Sequence, residues 1–328
     1  MTKKYTAISL FAGVGGICLG FQRAGVDIVF ANDFDKNACI TYRENFKHGI
    51  VEGPIENINE NDIPDADFVL FGFPCTSFSI AGARLGFNDK KSGHLFFEAL
   101  RIIKAKKPKA FLLENVKNLV GHDNGNTFKV IRECLEEEGY YFKYKVLNSM
   151  EYGNIPQNRE RIYVVGFKDK NQCDRFEFPK PVELTTKIED ITKPYEKKDK
   201  KFYYDNSKYY PMLKEAMVNK KTVYQLRRIY VRENKNNVCP TLTANMGTGG
   251  HNVPLILDDY GIRKLTPREC FRLQGFPEEY KLPENMAMSH LYKQAGNSVT
   301  VPVIEGIAQN MIKAMEKGAE IKESKITK

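Results

Sequence analysis

Apolar residues along this chain fall into short continuous runs separated by amphipathic stretches, and the two patterns alternate from the N-terminus to about residue 180. The run Ala7 to Phe11 breaks at a glycine turn, "AGVGG" (Ala12 to Gly16), and the pattern from Ile17 to Ala24 is helical. A second apolar run, "VDIVFAND", follows at once and completes a β-α-β unit. Runs at 66–73, 108–115, 141–148 and 161–167 read as further strands. Between them, residues 93–108 bring Leu95, Phe96, Ala99, Leu100, Ile102 and Ile103 near one helical face, and 127–140 do so with Phe128, Ile131 and Leu135. A last helix is expected at 301–318, with Val303, Ile304, Ile307, Ile312 and Met315 facing a sheet. Such alternation predicts an α/β fold with a doubly wound, largely parallel sheet, in which ligands sit beyond the carboxyl ends of the strands.

After "FEFPKP" (176–181) the buried-strand pattern stops and Lys, Tyr and Asn become dense. Residues 181–260 hold 14 Lys plus Arg against 10 Asp plus Glu, with "YQLRRIYVRENKNN" (224–237) the most basic part and the polar, glycine-rich "CPTLTANMGTGGHN" (239–252) behind it. A basic run of this kind is ordinarily a solvated insertion. With 328 residues the chain is long enough for one large domain and a smaller one.

The net charge of +9 and pI near 9.0 favour a polyanionic partner without identifying it. Seven scattered cysteines form no C-x-x-C pair, which suits a reducing cytoplasm better than a disulfide framework and gives no zinc signature. The N-terminus imitates a signal peptide, Lys3 and Lys4 preceding an apolar run, but four glycines and the polar Gln22 and Arg23 argue against export. No run is long and apolar enough to span a bilayer.

Gly13 and Gly15 lie at the first strand-to-helix turn, where a missing Cβ lets a ligand approach the backbone. Asp33 follows Gly13 by 20 residues, at the end of the second strand, where a carboxylate can accept hydrogen bonds from ribose hydroxyls. The aromatic Phe34 beside it can stack on adenine. Together they imply a nucleoside-containing cofactor, NAD or S-adenosylmethionine. Cys75 ends another strand within "DFVLFGFPCTSFSIAG" (67–82). A cysteine is usually a small buried hydrophobe. Here Pro74 fixes φ after Gly72-Phe73, so the thiol is aimed off the sheet edge. Glu114 sits at a third strand end, where an acid is costly unless it is hydrogen-bonded or used. Arg159 and Arg161, two apart, share one face if extended.

These segments together resemble the C5-cytosine-specific DNA methyltransferase family, of the bacterial restriction–modification type. "SLFAGVGG" (9–16), "ANDFDK" (31–36), "GFPCTSFS" (72–79), "ENVKN" (114–118), "QNRERIYVVG" (157–166), "RKLTPRECFRLQGFP" (263–277) and "QAGNSV" (294–299) follow the family's order along nearly the whole chain. Two departures stand out. Gly53-Pro54-Ile55 replaces a segment with an acidic residue in many members, removing a side-chain contact to the cofactor amine at 54, and Thr76 stands where Gln often follows the cysteine.

The resemblance implies a Rossmann-like S-adenosylmethionine-dependent methyltransferase domain, residues 1–180 plus 286–328, with a smaller target-recognition domain inserted at 181–285. It implies Cys75 as the nucleophile adding to cytosine C6, Glu114 as the group at N3, and Arg161 with Arg159 holding the base at O2. Because C6 is shielded by stacking, the base must leave the duplex. Phe11, Gly13, Gly15, Gly16, Asp33, Phe34, Ile55, Phe73, Leu95, Asn297, Ser298 and Val299 would line the cofactor site. Ser79, Arg227, Arg228, Arg232, Thr241 and Leu242 are the DNA-binding candidates, arginines reading base edges while lysines meet phosphates. His94, His122 and His251 receive no role. The likeness further implies duplex DNA as partner, a cytoplasmic monomer without membrane attachment, a host nuclease of matching specificity that forms no stable complex with it, and a short GC-containing target. Cytosine methylation in RNA by the same chemistry is one alternative. A nucleotide-binding oxidoreductase is another, which leaves Cys75, Glu114 and Arg161 without a shared task.

Overall fold

The structure, a computed structural model, describes residues 4–73, 94–227, 229–248 and 252–316. Its described residues group into two compact units, one drawn from 1–147, 160–179 and 303–328, the other from 148–159 and 180–302.

The first unit is built on a seven-stranded sheet. Its strands are β1 (Thr6–Leu10), β2 (Asp27–Asp33), β3 (Val51–Glu52), β4 (Phe68–Gly72), β5 (Ala110–Val116), β6 (Tyr141–Asn148) and β7 (Glu160–Phe167). Their spatial order is β3-β2-β1-β4-β5-β7-β6. From β3 through β5 the pairing is parallel, while β7 runs antiparallel along the whole of β5. The helices α1 (Gly16–Arg23), α3 (His94–Lys106) and α4 (Asn126–Glu137) lie where the periodicity predicts them, and α2 (Lys36–Asn45), capped by the Asp35 side chain, adds a helix the pattern did not single out.

Strands buried on both faces explain the continuous apolar runs. On one face, Ile8, Leu10, Val69, Phe71, Phe111, Leu113, Ile162 and Val164 pack with Phe96, Ala99, Ile102 and Ile103 of α3 and Phe128, Ile131 and Leu135 of α4. On the other, Phe68 meets the ring of Phe21 from α1 at 5.6 Å, edge to face. The helix Val301–Glu316 closes against α1 through small residues, since a Cβ on Gly20 would stand 2.5 Å from Ile304. Arg23 and Glu305 pair beside that contact at 3.7 Å. No helix among the described residues is long and apolar enough to cross a membrane.

The second unit has a four-stranded antiparallel sheet in the order Val231–Glu233, Tyr224–Leu226, Leu255–Leu257, Ile262–Lys264. Its apolar core includes Leu213, Met217, Tyr224, Leu226, Leu255 and Ile262, and other side chains of the unit, among them Leu265, Phe271, Leu273, Phe276 and Tyr292, are buried as well. Beside it lies a fully buried ionic cluster. The Arg263 guanidinium donates from Nε to Asp258 at 2.5 Å and forks onto Glu269 at 2.7 and 2.8 Å. The carboxylates' remaining acceptor sites are filled, Asp258 by Tyr203 Oη and the amides of Tyr260 and Gly261, Glu269 by the amide of Thr266. Glu269 and Thr266 thereby form a capping box that starts the helix Pro267–Arg272.

Removing one partner of a buried pair strands the others. Arg263→Met is therefore expected to lower the unfolding free energy by about 3–5 kcal/mol, read as a shift of the urea midpoint; a loss below about 1 kcal/mol on that scale would mean the cluster is solvated.

Candidate active site

The site is assembled at the carboxyl ends of β1, β2, β4 and β5, where parallel strands run out of partners. β1 leaves the sheet through Phe11, a non-glycine residue at φ +54°. That conformation is costly and persists only where its surroundings enforce it. Here Ala12 donates to the Asn32 carbonyl at 2.9 Å, and Gly15 to the Ala12 carbonyl at 2.8 Å. Gly13, at φ +56°, donates its amide to Asp33 Oδ2 at 2.7 Å, while Oδ1 accepts the Asp35 amide at 2.8 Å. The Asp33 carboxylate thus ties the glycine turn to the end of β2. Burial pushes its pKa above the usual carboxylate range against the pull of the Asp35, Gly13 and Phe34 amides.

The same corner is closed from the far side. Asn32 Nδ2 donates to the carbonyls of Val51 and Gly53 at 3.0 and 2.9 Å, and Gly53 returns its amide to the Asp33 carbonyl. Ile55 follows, buried, after Pro54. Phe34 is 66% exposed although it adjoins a buried carboxylate. Gly15 and Gly13 differ in what they face. A Cβ at 15 would stand 2.3 Å from the Phe46 ring, whereas at 13 no atom lies within 4 Å of where one would be. Gly15 serves packing, and Gly13 opens onto free space.

At the ends of β4 and β5 the acid and its partner are brought together. Glu114 Oε1 lies 3.3 Å from Arg161 Nε on β7, both side chains mostly buried. Their strands pair antiparallel, with Glu114 opposite Tyr163 and Val116 opposite Arg161. Across β4, Gly72 is in register with Glu114, and a Cβ there would come within 3.0 Å of Glu114 Oε2. Asn115, next in sequence and so on the opposite face, is buried and donates from Nδ2 to the Phe73 carbonyl at 2.7 Å. Phe73 is buried and is the last described residue before Pro74. Cys75 and Ser79 lie outside the described residues. Leu95, half-buried, packs on the core from α3.

Arg159 does not share a strand face with Arg161, because β7 begins at Glu160. It is buried in the second unit, donating to the carbonyls of Leu242, Gly296 and Ser298. Gln157 reinforces this knot, its Nε2 donating to the Leu273 carbonyl at 2.6 Å and its Oε1 accepting the Leu242 amide at 3.0 Å. The backbone of Thr243 lies so close to Gly296 that a Cβ there would stand 2.2 Å away. Leu242 is itself buried, so its side chain offers no surface to a ligand, whereas Thr241 is half-buried and donates to the Asn158 carbonyl. Asn297 is exposed, and Ser298 and Val299 are buried behind it. The remaining candidates lie on the hairpin Tyr224–Glu233. Arg227 and Arg232 are exposed, Ile229 at the turn is 86% exposed and Tyr230 52%; Arg228 lies outside the described residues.

Residues 5–313 match the family model described as C-5 cytosine-specific DNA methylase. The chain belongs to that family. It is 62% identical over 310 residues to the type II methyltransferase M.Bsp6I of Bacillus sp. (strain RFL6), covering 94% of this chain and 98% of that protein. To M.HhaI of Haemophilus parahaemolyticus it is 40% identical over 318 residues, covering 93% of each. Its fold resembles the solved Spodoptera frugiperda DNMT2 mutant, with a TM-score of 0.73 at 20% identity over 94% of this chain and all of that one. An Escherichia coli prophage structure titled a putative DNA modification methyltransferase gives 0.68 at 23%, covering 95% of this chain and all of that one. The chain is thus a DNA (cytosine-5)-methyltransferase, an enzyme that moves a methyl group from a donor to DNA.

Sequence reasoning set Glu114 and Asn115 side by side at a strand end but gave a task only to the first. It used Gly72 only as the strand's exit, not as the space beside Glu114, and passed over Gln157. The available signal for Asn115 was a carboxamide closing an otherwise apolar strand. Asn115→Ala leaves the buried Phe73 carbonyl without that donor, and a stability loss of about 1–3 kcal/mol is expected, with methyl transfer reduced more than donor binding. Denaturant melts and donor titration of the same variant check both; unchanged turnover would show that the Phe73 carbonyl needs no such anchor.

Proposed function

We propose that the methyl donor is S-adenosylmethionine, held at the carboxyl ends of β1 and β2, and that the target cytosine is turned out of duplex DNA to meet Glu114, Arg161 and Cys75. The fit of the donor rests on three observations. Gly13 faces open space among the described residues, the Asp33 carboxylate is fixed at the strand end by the amides of Gly13 and Asp35, and Phe34 presents an exposed ring beside that carboxylate. Phe11, Gly13, Gly15, Gly16, Asp33, Phe34, Ile55, Phe73, Leu95, Asn297, Ser298 and Val299 are the residues we assign to holding it. Bound there, it supplies an electrophilic methyl group.

The observation that carries the mechanism is the Glu114–Arg161 pair, aligned by Gly72 at the end of β5. Cytosine C5 becomes nucleophilic once the Cys75 thiolate adds at C6 and pushes electron density toward N3. Glu114, sharing a proton with N3, stabilises that charge, and Arg161 holds the carboxyl in place while reaching toward O2. After methylation, loss of the C5 proton expels Cys75. Arg159 we assign to positioning: its buried guanidinium fixes the 242 loop and the 296–298 turn by their carbonyls.

The inserted segment 181–285, which lies within the second unit, is proposed to read the target. Arg227, Arg228 and Arg232 flank Ile229 and Tyr230 on the 224–233 hairpin. Exposed apolar side chains between arginines suit a surface covered by DNA, where apolar groups wedge between base steps. Ser79 and Thr241 would add backbone contacts, with Leu242 holding the loop from within. The enzyme is proposed to act as a cytoplasmic monomer protecting host DNA against a nuclease of the same specificity.

The test is incubation with methyl-labelled S-adenosylmethionine and either genomic DNA or total RNA, followed by nucleoside analysis. Label in 5-methyldeoxycytidine that disappears in Cys75→Ala is the expected result, and Glu114→Gln should slow turnover by about 10²–10⁴-fold. Label in RNA would assign a different polymer. Label that persists without the thiol would remove Cys75 from the mechanism.

A further inference from the structure

The segment that follows β3 carries Ile55, one of the residues assigned above to the donor, and it lies past the edge of the sheet. β3 is only Val51–Glu52, and beyond Gly53, whose amide bonds to the Asp33 carbonyl, the next strand is β4. Pro54 is exposed and has no amide to donate. Two short turns, Ile55–Asn57 and Glu60–Asp62, make up most of the rest. Connecting segments of this kind are ordinarily among the more mobile parts of a fold.

Here the segment is bolted from behind by one side chain of α3. Arg101 donates from Nη2 to the carbonyls of Ile55 and Ile58, both at 3.1 Å, from Nη1 to Glu60 Oε2, and from Nε to Glu98 Oε2 at 2.9 Å. Its side chain is mostly buried, as is that of Glu98 one turn earlier on the same helix. The two carbonyls are three residues apart, so a planar fork that meets both selects one shape of the turn between them. The segment is thus fixed from two sides, by Asn32 on the Gly53 carbonyl from β2 and by Arg101 from α3. Apolar packing follows the same lines: Ile55 and Phe73 lie in one buried cluster with Phe96 and Ala99 of α3, and Phe11 and Leu95 pack against it.

Four of the residues assigned to the donor, Phe11, Ile55, Phe73 and Leu95, therefore share the cluster that α3 packs into, and Arg101 is the polar link from that helix to one of them. The carbonyl bonds decide its task. Ion pairs with Glu60 and Glu98 would tie α3 to the segment in many geometries, whereas donors placed on two main-chain carbonyls of one turn fix its conformation. We infer that Arg101 is a positioning residue for the methyl donor, holding the Ile55 turn in its receiving shape so that binding does not have to order it. It acts through Ile55 and not on the reacting atoms. The inference rests on the reading above that Ile55 lines the donor site.

The experiment measures the dissociation constant of S-adenosylmethionine for the full chain by titration calorimetry, beside steady-state kinetics on duplex DNA and the melting temperature without donor. Arg101→Lys keeps a cation beside Glu60 and Glu98 but cannot fork onto two carbonyls, while Arg101→Gln loses the ion pairs as well. Both should weaken donor binding about tenfold, as expected when two or three residues must be ordered on binding, and both should raise the donor KM with kcat unchanged at saturation. Only Arg101→Gln should lower the melting temperature. Arg132→Gln, which removes a guanidinium paired with Glu136 on the exposed side of α4, should bind the donor as the wild type does. Wild-type affinity in Arg101→Lys, affinity that falls only in step with the melting temperature, a kcat that falls as far as the affinity, or an equal loss in the Arg132 control overturns the inference. The parent reading fails separately, if the wild-type chain does not bind S-adenosylmethionine.

Discussion

A parallel strand that ends inside a sheet leaves main-chain groups that nothing in the ladder can satisfy, and an unpaired buried amide or carbonyl costs about 1–3 kcal/mol. In this protein short polar side chains answer that requirement at every strand end that matters. Asp33 accepts the Gly13 and Asp35 amides, Asn32 donates to the Val51 and Gly53 carbonyls, and Asn115 donates to the Phe73 carbonyl. These bonds join β1 to β2, β2 to β3 and β5 to β4. The loops they hold are the ones proposed above to meet the methyl donor and the target base, so on that reading the satisfaction of the backbone and the shaping of the site are one construction. Glu114 adds an ion pair with the Arg161 guanidinium to this set, and its position depends on Gly72 having no side chain.

The second unit solves a different problem with the same groups. Besides its buried apolar side chains, buried cations tie its loops to one another. Arg159 gathers three carbonyls from two distant segments, and Arg263 gathers two carboxylates and the carbonyls of Thr192 and Lys264. A guanidinium suits this because its five donors lie in a fixed plane and it stays charged when buried. Loops pinned from within in this way can carry exposed arginines and an exposed isoleucine on their outer side.

The sheet was legible in the sequence because strands buried on both faces must be apolar throughout, while the intervening helices must not be. Elements such as Phe68–Gly72 and Ala110–Val116 therefore stand out as runs bounded by Gly, Pro or Asn. The antiparallel direction of β7 was not legible, since a buried strand reads the same in either sense. Asp33 was found by its distance from the glycine turn, but its two amide bonds were not, because they depend on how the chain turns back at Gly13. The pairing of Arg159 with Arg161 failed for a local reason: a period of two applies only within a strand, and the strand starts between them. Leu242 was chosen with Thr241 as a pair of DNA-binding candidates. The structure separates them, Thr241 half-buried and Leu242 buried and bonded inward through both its amide and its carbonyl.

Glycines give the clearest division between what the fold needs and what the ligand needs. At Gly15, Gly20, Gly166 and Gly296 the space a side chain would take is already filled, by Phe46, Ile304, Phe111 and the Thr243 backbone, so these residues record close packing of one part of the chain on another. At Gly13 no described atom lies within 4 Å of that space, as at Gly25, Gly49 and Gly53, which are likewise left-handed with their amides held by carbonyls. Gly13 differs from those turn glycines in the group that holds it: a side-chain carboxylate, Asp33, next to the two-thirds exposed ring of Phe34, at the corner proposed above to hold the methyl donor.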